Sequence, residues 1–393
     1  MPSNLRRLRW LPIDSAVLAT VFHLIISLDY ELPAGGRGDV LRHLVLPSER
    51  LLHICERHGA KLTIMAEMGE LWAFEELANS RFSDQFAFPL SSVIRDQLRG
   101  AIRRGHDVQL HLHPQWLRAR WQGSRWFVDY AHYKLTDFSL EEMTDSLCRG
   151  KRDLEAMFRP IAPDYRCIGF RAGNWNTQPC EAYLAALRQA GLQSDSSVFK
   201  WGYTRNPAAD VDYRRAWSNV RPWFADGRDI NSPSAAGEIL EVPIAAEQVH
   251  GFQLLRPHRL VRSLRCLAED LRVERQVQQA LGRKRQIGKS ISASLGRVFG
   301  CCSRKLDFCK LSGREMLEMA ERLMQQCGTA LPRPVPLMMI GHSKEFTDDS
   351  DMDFLLGELR RRHGHEMVFT TYRGFVAQYL AAVRQQQLPM CAD

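Results

Sequence analysis

Gly105-His106-Asp107-Val108-Gln109-Leu110-His111-Leu112-His113-Pro114-Gln115-Trp116 decides how the rest of the chain is read. Apolar and polar residues alternate from Asp107 onward as in a short strand with a buried face. Pro114 closes it, because proline has no N–H to give to a sheet. Residues two apart on a strand share a face, so His111 and His113 point the same way. Neutral imidazole is a common ligand for zinc and related ions, which makes the pair a candidate half of a metal site. The plainer reading is two polar residues in a loop at a sheet end.

Upstream, Val21-Phe22-His23-Leu24-Ile25-Ile26-Ser27-Leu28 has the apolar, Ile- and Val-containing character of a strand buried on both faces. It runs into Asp29-Tyr30-Glu31 and a loop with Pro33, Gly35, Gly36 and Gly38. Carboxylates placed there stand at the carboxyl end of a buried strand, the end at which α/β folds bind ligands; a turn-forming Asp and a solvated Glu is the alternative. The spacing of Leu51, Leu52, Ile54 and Cys55 up to His58-Gly59 predicts a helix with a glycine C-cap. A strand over Lys61–Met65 and a helix over 91–104 lead back to the histidine strand.

Downstream, Thr136 to Phe158 keeps helical spacing, with Ser139 as N-cap and Glu142 at the capping-box position. A strand from Tyr165 to Phe170 ends in Arg171-Ala172-Gly173-Asn174-Trp175, a helix over 179–190 is closed by Gly191, and strands follow at 193–198 and Ile239–Ile244. A helix over Met316–Met324 precedes the last main strand, Pro336–Ile340, which ends in Gly341-His342-Ser343-Lys344-Glu345. The tail predicts a helix over 351–363, a short strand over Met367–Thr370 and a helix from Thr371. Alternating strands and helices argue for a parallel sheet with helices packed outside.

At 393 residues and 45% hydrophobic composition, the chain can bury a large core as one domain with insertions or as two. No apolar run reaches the eighteen or so residues of a membrane-spanning helix. Arg6, Arg7 and Arg9 faintly imitate a signal peptide, but Pro12 and Asp14 interrupt the apolar region, so none is expected. Ten cysteines without a Cys-x-x-Cys pair read as reduced thiols in a cytoplasmic protein. Of the net charge of +8, residues 251–310 carry +10, leaving the remainder slightly acidic.

Within this basic segment Leu260, Leu264, Leu267, Leu271 and Leu281 keep helical spacing, and Ile287, Ile291, Leu295 and Phe299 recur every four residues. Two amphipathic helices are predicted, either packed on the protein's own core or lying peripherally on an anionic surface such as the inner membrane. Only Phe252, Phe299 and Phe308 interleave the basic residues, so no nucleic-acid partner is expected.

Five strand ends thus deliver Asp29 with Glu31, His111 with His113, Arg171, Asp195 and His342. This inventory suits metal-assisted hydrolysis, in which a metal polarises a carbonyl while a carboxylate and a histidine move protons.

The ordered set resembles the NodB-homology polysaccharide deacetylases, carbohydrate esterase family four. Ser27-Leu28-Asp29-Tyr30-Glu31 looks like the first family motif, Gly105 to His113 the second, Gly169 to Trp175 the third, Asp195-Ser196-Ser197 the fourth and Ile340-Gly341-His342 the fifth. The wording Leu-His-Leu-His-Pro, Phe-Arg-Ala-Gly-Asn-Trp and Gly-His-Ser-Lys-Glu is similar to the WalW-type branch found among lipopolysaccharide biosynthesis proteins. The resemblance runs from about residue 21 to 372, minus the basic insertion. It implies a distorted parallel (β/α) barrel of the glycoside hydrolase/deacetylase type over 21–249 and 313–393, with a 1–20 lead and a basic helical insertion at 250–312.

It also implies a hydrolase that removes acetyl from an N-acetylated sugar, with a saccharide or glycolipid substrate. Asp29 would be the base, held by Arg171; His342 would be the acid, positioned by Asp195. Glu31, His111 and His113 would bind a divalent metal, most simply zinc, and Asn174 and Trp175 would contact substrate. Two departures from the family pattern leave alternatives open. The family's first motif has adjacent aspartates, so Asp29 can be ligand or base. Its second spaces the histidines four apart, whereas position 115 is Gln, so either His113 supplies the second imidazole or the chain is a saccharide-binding homologue without catalysis. A glycoside hydrolase on a similar barrel, with two carboxylates flanking the scissile bond, is the enzyme alternative.

Overall fold

The computed structural model describes residues 21–251, 268, 271–282, 300–327 and 334–387. Its strands in chain order are β1 (Phe22–Tyr30), β2 (Leu62–Glu67), β3 (Asp107–Leu112), β4 (Gly169–Ala172), β5 (Ser194–Asp195), β6 (Trp223–Phe224), β7 (Leu240–Glu241), β8 (Ala246–His250), β9 (Cys301–Lys305), β10 (Val335–His342) and β11 (Met367–Thr370). The helices are α1 (Leu46–Arg57), α2 (Met68–Ala78), α3 (Leu90–Arg103), α4 (Leu140–Phe158), α5 (Cys180–Gln189), α6 (Gly313–Cys327), α7 (Ser350–His363) and α8 (Tyr372–Gln387). Short hairpins at 120–127 and 203–212 decorate the loops.

Among the described residues the main sheet runs β6-β7-β5-β4-β3-β2-β1-β10, with β11 on the lower half of β1. Every pairing is parallel except β6 with β7. β1, β2, β3 and β10 are buried at every position, as strands covered on both faces must be. The sheet is curled but incomplete. Its ends meet through isolated backbone contacts, Ala245 N–H donating to Met338 at 3.0 Å and Asp307 bridging Ile340. Ile25, Met65, Ile168, Leu240, Val242 and Met338 line one end and are covered by Tyr372, Phe375 and Val376 of α8. The backbone N–H of Tyr372 donates to Thr63 Oγ1 at 2.8 Å and that of Arg373 to Asp107 Oδ2 at 3.0 Å, so α8 is pinned near the amino ends of β2 and β3. The carboxyl ends lie opposite.

Register sets the site. Asp29 pairs with His342 and Met65, while Glu67 pairs with His111 and His111 with Arg171, so the site residues stand in two neighbouring rows, two residues apart along the strands and on the same face of the sheet. The α4 capping box forms as expected, the N–H of Ser139 reaching Glu142 Oε2 at 3.0 Å and the N–H of Glu142 reaching Ser139 Oγ at 3.2 Å.

Three expectations need correction. α2 was not expected: Met68, Leu71, Trp72, Ala73, Phe74 and Leu77 are all buried, so no polar face gives it a helical period. Residues 165–168 are not strand; β4 begins only at Gly169, and Tyr165 is held by its hydroxyl on the carbonyl of Val108 at 2.6 Å. The basic segment is entered and left through the antiparallel pair β8–β9. Of its interior, 271–280 is helical, but the buried positions are Val273 and Val277, against Tyr133 and Ala208, while Leu281 is exposed. Leu260, Leu264, Leu267, Ile287, Ile291, Leu295 and Phe299, like the 1–20 lead, lie outside the described residues. No helix among the described residues is long and apolar enough to cross a membrane.

Candidate metal centre and active site

Alternation along β1 turns Ser27, Asp29 and Glu31 to one face, and along β3 it does the same for Gln109, His111 and His113. Arg171 enters from β4 with no exposed surface. Its guanidinium donates to Asp29 Oδ1 at 2.5 Å, Ser27 Oγ at 3.0 Å, and the carbonyl and hydroxyl of Ser196 at 2.8 and 3.2 Å. A fully buried cation is tolerable only when paired and hydrogen-bonded in this way. Burial pushes the Asp29 carboxyl up, but Arg171, followed by His111 and His342, holds it below its ordinary value. Asp29 therefore stands as a carboxylate with one oxygen fixed and the other facing His342 Nε2 at 3.6 Å.

Glu31, His111 and His113 each offer a ligand atom, all within 4.8 Å of one another, and all three residues are buried. Ligands about 2.1 Å from a tetrahedral ion would stand roughly 3.4 Å apart, so the cluster needs only small adjustment to close on one. His111 Nδ1 faces the carbonyl of Arg171 at 2.8 Å, which fixes its proton there. The buried Nε2 then carries the lone pair; it makes no hydrogen bond and lies 3.9 Å from Glu31 Oε2. An orphaned buried nitrogen beside a carboxylate is what a metal ligand presents, so the residues fit a divalent cation. His113 packs edge-on to His111 with ring centroids 4.7 Å apart, and a Cβ at Gly173 would come within 2.7 Å of its ring, so that glycine makes room for the ligand.

Glu31 is pushed up by burial and pulled far below the carboxylate range by Lys344, His113, His342 and His111. Lys344 Nζ is 3.0 Å from Glu31 Oε1, and Ser343 Oγ donates to the Glu31 carbonyl at 3.1 Å. His342 Nε2 lies 3.7 Å from the same carboxylate, between Glu31 and Asp29. Trp175 meets the His342 ring edge-on at 5.9 Å. Asn174 and Trp175 both adopt positive φ, 53° and 56°, a backbone cost characteristic of functional loops. Tyr213 hydroxyl holds the Trp175 carbonyl at 2.5 Å.

The structure thus gathers Asp29, Glu31, His111, His113, Arg171 and His342, with Trp175 at their edge. Asp195 is placed differently. Its oxygens accept from the Tyr183 hydroxyl at 2.6 Å and from the Ser197 hydroxyl and N–H at 3.0 and 2.9 Å, and burial raises its pKa. It makes no hydrogen bond to His342, whose Nδ1 is buried without a partner. Asp195 instead shapes the turn whose Ser196 receives Arg171.

Glu67 and Lys344 carry site contacts that the sequence reading does not assign. Glu67 Oε2 accepts from the His113 N–H at 2.6 Å and faces its Nδ1 at 2.8 Å, while Oε1 caps α2 through the N–H of Gly69 at 2.8 Å. The available signal was the one used for Asp29 and Glu31, a carboxylate closing a buried strand. The same Nδ1 lies 3.2 Å from Glu31 Oε2, so Glu67 holds His113 through both its backbone N–H and its imidazole beside the other ligand, and Glu67→Gln is expected to weaken divalent-metal affinity by about 10- to 100-fold. Competition against a chromophoric chelator measures this, and unchanged affinity would remove Glu67 from the centre.

A crevice of about 740 Å³ lined by Trp201, Glu247, Arg304, Glu315 and Arg322, among others, shares no residue with this cluster. The cluster is singled out by its chemistry and not by cavity size.

No family model and no curated protein matches the chain. Among solved structures it is similar to a protein described as a polysaccharide deacetylase from Mycobacterium smegmatis, with 11% identity over 95% of this chain and 94% of that one and a TM-score of 0.48. A Pseudomonas aeruginosa PAO1 protein described in the same terms aligns at 12% identity over 92% of each chain, with a TM-score of 0.44. A 4-alpha-glucanotransferase from Thermococcus litoralis aligns at 11% identity over 92% of this chain and 41% of that one, with a TM-score of 0.47. At this level of similarity the chemistry rests on the side chains of the site itself.

Proposed function

We propose that this chain is a metal-dependent hydrolase that removes the acetyl group from an N-acetylated sugar, acting on an amide C–N bond that is not a peptide bond. The observation that carries the proposal is the convergence of Glu31, His111 and His113 beside an Arg171-held carboxylate and a histidine. A divalent ion held by these three ligands, zinc in the simplest case, would supply Lewis-acid polarisation of the amide carbonyl. Asp29, kept ionised by Arg171, takes a proton from the attacking water as its oxygen bonds to the carbonyl carbon. His342 gives a proton to the departing nitrogen as the C–N bond breaks, so acetate and a free amine leave. Trp175 offers an aromatic face at the edge of the site, and Asn174 an amide.

The finer assignment follows the motif wording: a cytoplasmic enzyme of lipopolysaccharide or polysaccharide biosynthesis, held near an anionic membrane surface or glycolipid by the basic segment. Its stripe and Arg283, Lys284 and Arg285 lie outside the described residues, so this part rests on sequence alone. A second reading has one observation in its favour. Lys344 already neutralises Glu31 at 3.0 Å, as it would in a saccharide-binding protein without metal. Acetate release from N-acetylglucosamine oligomers and lipid-linked N-acetylated saccharides, abolished by chelator and restored by added zinc or cobalt, is the result expected of the enzyme. Saccharide binding with no acetate release under any metal would favour the second reading.

A further inference from the structure

β9 ends in Lys305, which stands across the hairpin from Ala246 and two residues before Asp307, the residue bridged to Ile340 of the His342 strand. The return of the basic segment therefore delivers this lysine to the edge of the site. Its Nζ lies 3.2 Å from the centroid of the Trp175 ring and 4.5 Å from that of Phe199, rings that themselves meet edge-on at 5.5 Å. Trp175 is the same residue that packs on His342.

A lysine used only for packing lays its stem on apolar surface and sends the ammonium to water. Lys305, half-buried, instead folds its ammonium back over the rings. The ammonium sits over two aromatic faces, and among the described residues it has no hydrogen bond or ion pair with any acceptor. Asp307, Asp29 and Glu345 act on it only through space, and Lys310 opposes them. Cation–π attraction holds the charge in place without using up its three N–H donors. A positioned cation with free donors, next to an aromatic platform at a hydrolytic site, is a receptor for an anion.

We propose that Lys305 binds an anionic substituent, a carboxylate or phosphate, carried by a saccharide bound beside Trp175, so that the enzyme selects acidic or phosphorylated N-acetylated sugars. This rests on the saccharide reading of the site, but the anion receptor stands or falls separately. Burial, the largest influence on the ammonium, brings its pKa down to about 7, so pairing with an anion would restore it to the fully charged form.

Calorimetric titration of the full chain with inorganic phosphate, N-acetylglucosamine, N-acetylglucosamine 6-phosphate and N-acetylmuramic acid tests both parts. The two anionic sugars are expected to bind at least about tenfold more tightly than the neutral one, the scale of one charge-assisted hydrogen bond. Lys305→Met, which keeps a long stem against the rings and removes the charge, should erase that preference, and Lys305→Arg should keep it. Equal binding of anionic and neutral sugars by the unaltered chain overturns the proposal without needing a variant, as does a preference that survives in Lys305→Met, or binding of no probe at all. Phosphate binding that depends on Lys305, with no added affinity from any sugar, would uphold the anion receptor and overturn the saccharide reading.

Discussion

Asp29→Asn lowers turnover on an N-acetylated saccharide by about 10²- to 10⁴-fold, the usual contribution of a positioned proton acceptor, with metal content and fold nearly unchanged. The amide keeps an oxygen for Arg171 to donate to, at the place where the carboxylate now accepts at 2.5 Å, so the fold is retained, at lower stability because the guanidinium loses its counter-charge, and the loss of turnover is chemical. His342→Ala should fall in the same range, because its Nε2 stands 3.6 and 3.7 Å from the carboxylates of Asp29 and Glu31. Steady-state acetate release with metal analysis of each variant checks both. Full activity in Asp29→Asn would move the base to Glu31 and require other ligands for the ion.

Arg171→Met has the largest expected effect on stability. It strands Asp29 in a site where that residue is 2% exposed, and breaking a buried pair from one side costs about 3–5 kcal/mol. The urea midpoint should fall accordingly, and Asp29→Asn on the same chain should recover part of the loss, since the uncompensated charge is then gone. The pair also has a pH signature. Asp29 is depressed below its ordinary 3.8 in the folded chain, so its contribution is complete above that value and is lost as pH falls through the lower folded pKa. Arg171→Met should therefore be less destabilising in strong acid than at neutral pH. An equal deficit at both would mean that packing, not charge, keeps Arg171 in place.

The legible parts of the sequence were those where one residue decides a backbone property. The buried run of β1, the Pro114 stop after β3 and the Ser139–Glu142 cap each translate directly into structure, and strand-end residues converge because parallel register aligns carboxyl ends. α2 was illegible because a helix buried almost all round loses the polar face that reveals its period. Glu67 was hidden with it, at the junction of β2 and that helix. The local sequence of Asp195 reads like that of a site carboxylate, but its partners, Tyr183 and Ser197, are set by packing among α5 and the β5 turn. Lys305 owes its place to β9, a strand formed only by pairing with β8 across some fifty intervening residues, a pairing with no local signal.

The central claim is that Glu31, His111 and His113 hold one divalent cation. Elemental analysis of chain purified without chelator, together with calorimetric titration of the chelator-stripped chain with zinc and cobalt, tests it most directly. The expected result is one ion per chain, with binding lost in His111→Ala because the orphaned Nε2 is then absent. Metal-free chain that takes up neither ion, or uptake unchanged in His111→Ala, would contradict it.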